Sequence, residues 1–380
     1  MSPEDPVTGP IFFSTPLLFC SAEDFDVYFG TANDGGIHHA AFSNSEGTFG
    51  PIRKVAALNG AGFIAIHPTQ PYLYSVAKRG KRNEPGHVVA FKINGDQSLT
   101  ELNSQSSEGS NPCHVSLDAT GQTLMVANYA GGDSVASFKL NLDGSLTKAH
   151  SMHSHVGSGE HPQRQKSPHP HSIFPSPTNN FAYVPDLGTD HIEIYALNPT
   201  RAQLTPAGNA NVPGGSKGPR HLKFSKDGRF AYVLLEMTME IALYAADAQS
   251  GALDFIGTVS TLKDRSDLER ISCSEIRIHP NGQFVYSANR DLENRGRDTI
   301  SVFTRDALTG ALTLIENQRA RVSVPRNFNV TPSGQWLIVG GQKSNDLAIF
   351  TLDPGTGLLE PHGDTVPFAG SPICIEFVIR

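Results

Sequence analysis

The sequence predicts an all-β chain folded as a seven-bladed β-propeller, and three observations carry that prediction. A unit of two short strands around a turn recurs at a period of about fifty residues. A second, smaller turn motif appears seven times. Each end of the chain carries only half a unit.

The two-strand unit begins with HPTQPYLYSVAK at 67–78 and continues with DATGQTLMVANY at 118–129 and SPTNNFAYVPDL at 176–187. It returns as SKDGRFAYVLLE at 225–236, HPNGQFVYSANR at 279–290 and TPSGQWLIVGGQ at 331–342. Successive copies lie 51, 58, 49, 54 and 52 residues apart. A third strand of alternating pattern follows each copy, as in DTISVF at 298–303. The smaller turn comes next: GTF (47–49), QSL (97–99), GSL (144–146), AQL (202–204), GAL (251–253), GAL (310–312) and GLL (357–359). Apolar residues alternate at period two, with no sustained helical period. Four short strands per repeat of this length read as propeller blades. DVYFGTA (26–32) resembles a second strand without its partner, and SPICIEFVIR (371–380) a first strand. Pairing them makes one blade from both termini and removes the last exposed sheet edge. Residues 1–25 are expected as an N-terminal extension, and 26–380 as a single propeller domain.

Composition narrows the function. The chain has 380 residues, a net charge of -7, 36 glycines and 26 prolines. That balance excludes a broad nucleic-acid or anionic-membrane surface, and no apolar run approaches a membrane span. An anionic ligand therefore needs a local cationic pocket. The four cysteines are widely spaced, with no CxxC pair, which favours reduced thiols in the cytoplasm. The apolar run at 11–20 follows Glu4 and Asp5 and contains Pro16. It reads as an extension, not as a secretory signal.

Candidate functional residues follow from hairpin geometry. In a blade the first strand lines the central channel and the second runs back beside it, so the start of one and the end of the other share a face. The stretch GPRHLKFSKDGRFAYVLLE (218–236) puts Arg220 and Glu236 at those two positions. Across the repeats the first-strand position holds Gly62, Cys113, His171, Arg220, Ser274, Arg326 and Ile373. The second-strand position holds Ala32, Lys78, Tyr129, Leu187, Glu236, Arg290 and Gln342. Repeats three to six thus gather His171, Arg220, Glu236, Arg290 and Arg326 at one mouth, with Lys78, Tyr129 and Gln342 in the wall. Propeller mouths are wet, and any single polar residue there needs no special role. A carboxylate and an imidazole among several guanidinium groups, however, suit an anionic substrate and acid–base chemistry.

Two other segments stand out. Residues 150–171 hold His150, His153, His155, His161, His169 and His171. The Pro, Gly and Ser among them favour a long inter-blade loop over a metal site. The charged insertion TLKDRSDLER (261–270) reads as a solvated loop, with a lid over the mouth as the alternative.

The motifs RQKSPHPHS (164–172), DLGTD (186–190), GPRH (218–221), SEI with NR (274–276, 289–290), PRNF (325–328) and PICI (372–375) resemble the seven-bladed lactonase family. It includes propeller-type 6-phosphogluconolactonases and fungal 3-carboxy-cis,cis-muconate cyclases. The resemblance runs from about Val27 to the C-terminus. It implies a cytosolic enzyme acting on a small-molecule anionic lactone, carboxylated or phosphorylated, without a required metal; no cofactor is expected. The family's active-site positions carry over onto His171, Arg220, Glu236 and Arg290. Lys78 stands where bacterial lactonases often have an acidic residue. The stretch after Glu236, MTME where the lactonases commonly have Leu-Asn-Ser, and the long loop DLENRGRD (291–298) also depart from the usual pattern. The leading expectation is hydrolysis of a sugar lactone, 6-phosphogluconolactone foremost, with Glu236 or His171 as base. A lactone-forming cycloisomerase and a non-catalytic interaction platform are the alternatives. The lone Trp336 and the missing Gly-His and Trp-Asp signature weigh against the platform.

Overall fold

The computed structural model describes residues 24–32, 35–78 and 84–380. Seven sheets of four or five antiparallel strands follow one another around a ring. Among the described residues the only helix is the 3-10 turn Pro199–Arg201. Blades 1 to 6 follow chain order and blade 7 closes the ring. The expected extension over 1–25 lies, up to residue 23, outside the described residues.

Each blade repeats one construction. In blade 4 the inner strand Pro219–Phe224 turns at Ser225–Gly228 into the second strand Phe230–Leu235. The third and outer strands, Glu240–Ala246 and Leu253–Ser260, complete it. The second strand is buried throughout, because neighbouring blades cover both its faces. The outer strand is largely exposed, with Leu253 its buried residue. The core therefore lies between blades. One cluster joins Phe181, Tyr183 and Ile194 of blade 3 to Leu222, Val233 and Tyr244 of blade 4.

A repeated contact fastens most blades to the next. Tyr74, Tyr183, Tyr232 and Tyr286 lie in the second strands of blades 1, 3, 4 and 5. Their hydroxyls donate to the carbonyls of Gly144, Gly251, Gly310 and Gly357 at 3.0, 2.9, 2.8 and 3.0 Å. Those glycines open the small turns seen in the sequence. Gly251 and Gly310 have φ of +77° and +74°, and a Cβ on either would meet the ring of Phe181 or Phe230. Glycine meets both demands, left-handed backbone and close approach. Trp336 makes the corresponding bond from blade 6, donating from Nε1 to the Asn44 carbonyl of blade 7 at 2.9 Å.

The termini close the ring as expected. The C-terminal strand Pro372–Ile379 is the inner strand of blade 7 and pairs antiparallel with Phe25–Thr31, with Phe29 opposite Ile375.

The inner strands carry an irregularity that places the site. In blade 4, Pro219 pairs with Leu235 and His221 with Leu234, leaving Arg220 as an extra residue. In blade 6, Pro325 pairs with Gly341 and Asn327 with Gly340, leaving Arg326 extra. Cys113 in blade 2 and Ile373 in blade 7 are extra in the same way. Blade 5 shifts register between Cys273 and Ile276, around Ser274. A bulge bends its strand and redirects one side chain without a ladder partner. Here it does so at five of the seven first-strand ring positions.

Candidate active site

The ring positions converge on a cavity of about 330 Å³ at one mouth of the channel. Lys78, Tyr129, His171, Arg220, Glu236, Arg326 and Gln342 all line it. Arg290 does not. It stands behind Glu236, donating from Nη2 to Ser272 Oγ at 2.6 Å and to the Cys273 carbonyl at 2.7 Å. Leu187 and Ser274 also stay outside the lining. Ser274 Oγ instead donates to the Pro325 carbonyl at 2.6 Å, pinning the base of the blade 6 bulge.

Glu236 is the centre of the charge arrangement. Its Oε2 accepts from Arg220 Nε at 2.9 Å and lies 3.4 Å from Arg290 Nη2. Its Oε1 accepts from Arg164 Nη2 at 2.8 Å. Burial pushes the carboxyl up, but the guanidinium groups of Arg290, Arg220 and Arg164 outweigh it and hold the pKa at about 2. Glu236 is thus a carboxylate at any working pH. His171 Nε2 lies 3.9 Å from Oε2. Burial first, then the charge of Arg220, lowers its pKa well below the ordinary imidazole value. His171 is therefore neutral, and its Nδ1 is buried without a hydrogen-bond partner among the described residues.

The arginines differ in their commitments. Arg220 Nη1 also donates to the Ser274 carbonyl and to His221 Nε2. Burial lowers Arg290 to about 9 and Arg326 to about 10, still cationic near neutrality. Arg326 makes no hydrogen bond or ion pair among the described residues. Tyr129 stacks on His169, with centroids 4.6 Å apart, and meets His171 edge-on at 5.4 Å.

Two groups of functional side chains escaped the sequence reading. Arg164 comes from the strap between blades 2 and 3, and no strand periodicity marks it, although it opens the motif RQKSPHPHS. The second group lies one layer below. His221 accepts from Arg220 and, through Nδ1, donates to Glu275 Oε1 at 3.0 Å. Glu275 is fully buried and also accepts from Asn327 Nδ2 at 2.6 Å. These residues each adjoin a ring position in the sequence (GPRH, SEI, PRNF). That adjacency is the signal by which they were there to be found.

The histidine-rich segment is a strap fastened across the mouth. His155 contacts Asp186 at 2.6 Å and Tyr195 at 2.9 Å, and His169 Nδ1 lies 2.8 Å from the Tyr129 carbonyl. A Cβ on Gly188 would run into the Ser167 carbonyl, so glycine there lets the strap lie flat. No three His, Cys, Asp or Glu side chains among the described residues form a metal-binding group. The insertion at 261–270 does not line the cavity. Arg265 ties it to the Thr238 carbonyl at 3.1 Å, and Arg297 pairs with Asp267 at 2.7 Å.

The family described as lactonase, seven-bladed β-propeller, covers residues 26–377. The chain belongs to that family. Among curated relatives, this lactonase-family chain is 32% identical to a 6-phosphogluconolactonase of Formosa agariphila over 86% of its length and 90% of the relative's. It is 31% identical to the 6-phosphogluconolactonase of Bacillus subtilis over 92% and 97%. Of solved structures, the periplasmic gluconolactonase PpgL of Pseudomonas aeruginosa superposes with a TM-score of 0.82 at 28% identity, covering 93% of this chain and 99% of that one.

Proposed function

We propose that this lactone hydrolase opens an anionic sugar lactone, 6-phosphogluconolactone foremost, to its open acid in the cytoplasm. One observation carries the reading. A single ionised carboxylate, Glu236, sits among three arginines beside a fourth, Arg326, that has no partner among the described residues. The three arginines keep a base deprotonated, and the fourth is left for substrate charge. The names of the relatives from Formosa agariphila and Bacillus subtilis support the choice of lactone.

In this reading Glu236 takes a proton from water as the hydroxide adds to the lactone carbonyl carbon. Arg220, whose Nη2 has no partner among the described residues, stabilises the oxyanion of the tetrahedral intermediate. The ring C–O bond then breaks, and the proton returns to the alkoxide leaving group, giving one hydroxy acid per lactone and water. Neutral His171 hydrogen-bonds the reacting oxygens, and Arg290 holds Glu236 from behind. Arg326 and Lys78 bind the phosphate, with Tyr129 and Gln342 flanking the sugar.

The test is a panel of phosphorylated and unphosphorylated sugar lactones together with carboxymuconate. Acid release from the phosphorylated lactone is expected. Loss of muconate absorbance in its place would make the chain a cycloisomerase instead. Glu236→Gln should lower kcat by about 10²–10⁴-fold, and full activity in that variant would remove Glu236 from the role of base.

A further inference from the structure

In the free site Glu236 is masked. Both of its oxygens accept from guanidinium groups, so a water reaching either must share it with a charged donor that weakens it as a base. The three arginines are not held alike. Arg220 and Arg290 have side chains only 3% and 5% exposed, and both also bond main-chain carbonyls. The Arg164 side chain is 40% exposed, and among the described residues its guanidinium holds only Glu236 Oε1 and, at 3.3 Å, Tyr129 OH. Its backbone is fixed nonetheless. Arg164 N donates to His161 Nδ1 at 3.2 Å, and the next residue, Gln165, donates from Nε2 to the Leu187 carbonyl at 2.8 Å. The side chain can swing while the strap stays in place.

Arg164 lines the same cavity as Arg326 and Lys78. An anion entering there meets four cations, Arg220 included; of the two that hold Glu236, Arg164 is the exposed one and has no main-chain carbonyl bond to keep its guanidinium in place. Phosphate matches the planar guanidinium fork with two parallel bonds. We infer that Arg164 is a specificity-determining gate: the phosphate of the substrate draws it off Glu236, freeing Oε1 to take the proton from water. This rests on the lactonase reading above and adds to it that the anionic group switches on the base as well as anchoring the substrate. A neutral lactone that fits the cavity leaves the base covered and turns over slowly.

The consequence for pH has a definite sign. The groups facing Glu236 are Arg164, Arg220, Arg290, Arg326, His171 and Tyr129, with the thiols of Cys113 and Cys273 beyond them. His171 is neutral, and burial raises both thiols to about 12, so the arginines supply the charge. Removing Arg164 takes away a stabilising cation, so the carboxyl pKa rises. Activity that needs the carboxylate is then lost at a higher pH on the acid side.

The experiment compares 6-phosphogluconolactone with unphosphorylated gluconolactone in wild type, Arg164→Gln and Arg164→Lys. Wild type is expected to turn over the neutral lactone at least about tenfold more slowly in kcat, and added inorganic phosphate should raise that rate saturably. Arg164→Gln should gain kcat on the neutral lactone, lose the phosphate response and move the acid limb up by about one pH unit or more. Arg164→Lys should keep part of the response. If Arg164→Gln slows both lactones in equal proportion, Arg164 only positions Glu236 and the gate is wrong. If wild type opens neither lactone, the functional reading fails, and the gate is judged by NMR. Inorganic phosphate must then shift the Arg164 Nε resonance, assigned by its absence in Arg164→Gln, and an unmoved resonance overturns the gate as well.

Discussion

Arg326 and Arg290 belong to the two different rings of one mouth, and they do different work. Arg326 sits on an inner-strand bulge and lines the cavity without a partner among the described residues. Arg290 ends a second strand and spends its guanidinium on Glu236, Ser272 and Cys273. Arg326→Ala should therefore raise KM for the phosphorylated lactone about tenfold or more, with kcat nearly unchanged. The corresponding loss of a charge-assisted bond is about 1.5–3 kcal/mol, and steady-state kinetics on both lactones checks it. Most of this site was legible in the sequence, because Arg220, Glu236, His171 and Arg326 recur at fixed places in a repeat. Arg290 was assigned to the right mouth, but its depth behind Glu236 depends on side-chain direction, which strand spacing does not encode. Arg164 was invisible to the repeat because a strap has no period.

At the scale of elements, the bulge and the tyrosine bond account for what the repeat conserves in shape. The alternating pattern revealed the strands and the turns, and the sixteen-residue step from Arg220 to Glu236 is one passage down the channel and back. The bulge left no compositional mark. Nothing in Pro-Arg-His distinguishes an extra residue from a paired one until the partners Leu234 and Leu235 are known. The tyrosine bond, by contrast, ties a residue in one repeat to a turn in the next and is pure fastening. Tyr286→Phe keeps the ring's packing and removes only the bond to the Gly357 carbonyl. It should cost about 1 kcal/mol, seen as a lower urea midpoint with an unchanged slope, while kcat stays at the wild-type value.

For the whole molecule the decisive feature is the blade shared by both ends. Ile375 and Phe29 face one another across that pairing and are both fully buried, in a cluster with Ile338 and Ile349 of blade 6. Removing residues 372–380 should leave the second strand of blade 7 with a bare apolar edge. The expected result is loss of cooperative thermal unfolding and of lactonase activity. A synthetic peptide spanning 371–380, added in trans, should restore both by supplying the missing strand. A truncated chain that unfolds cooperatively and stays active would show that closure is dispensable.

That shared blade also sets a clock on biosynthesis. Phe25–Thr31 is made early and Pro372–Ile379 last, so the first strand waits through nearly the whole of translation for its neighbour. At ~5–20 residues per second the wait is tens of seconds, longer than a hairpin needs to form by several orders of magnitude. The last strand to leave the ribosome is thus the one that protects the first.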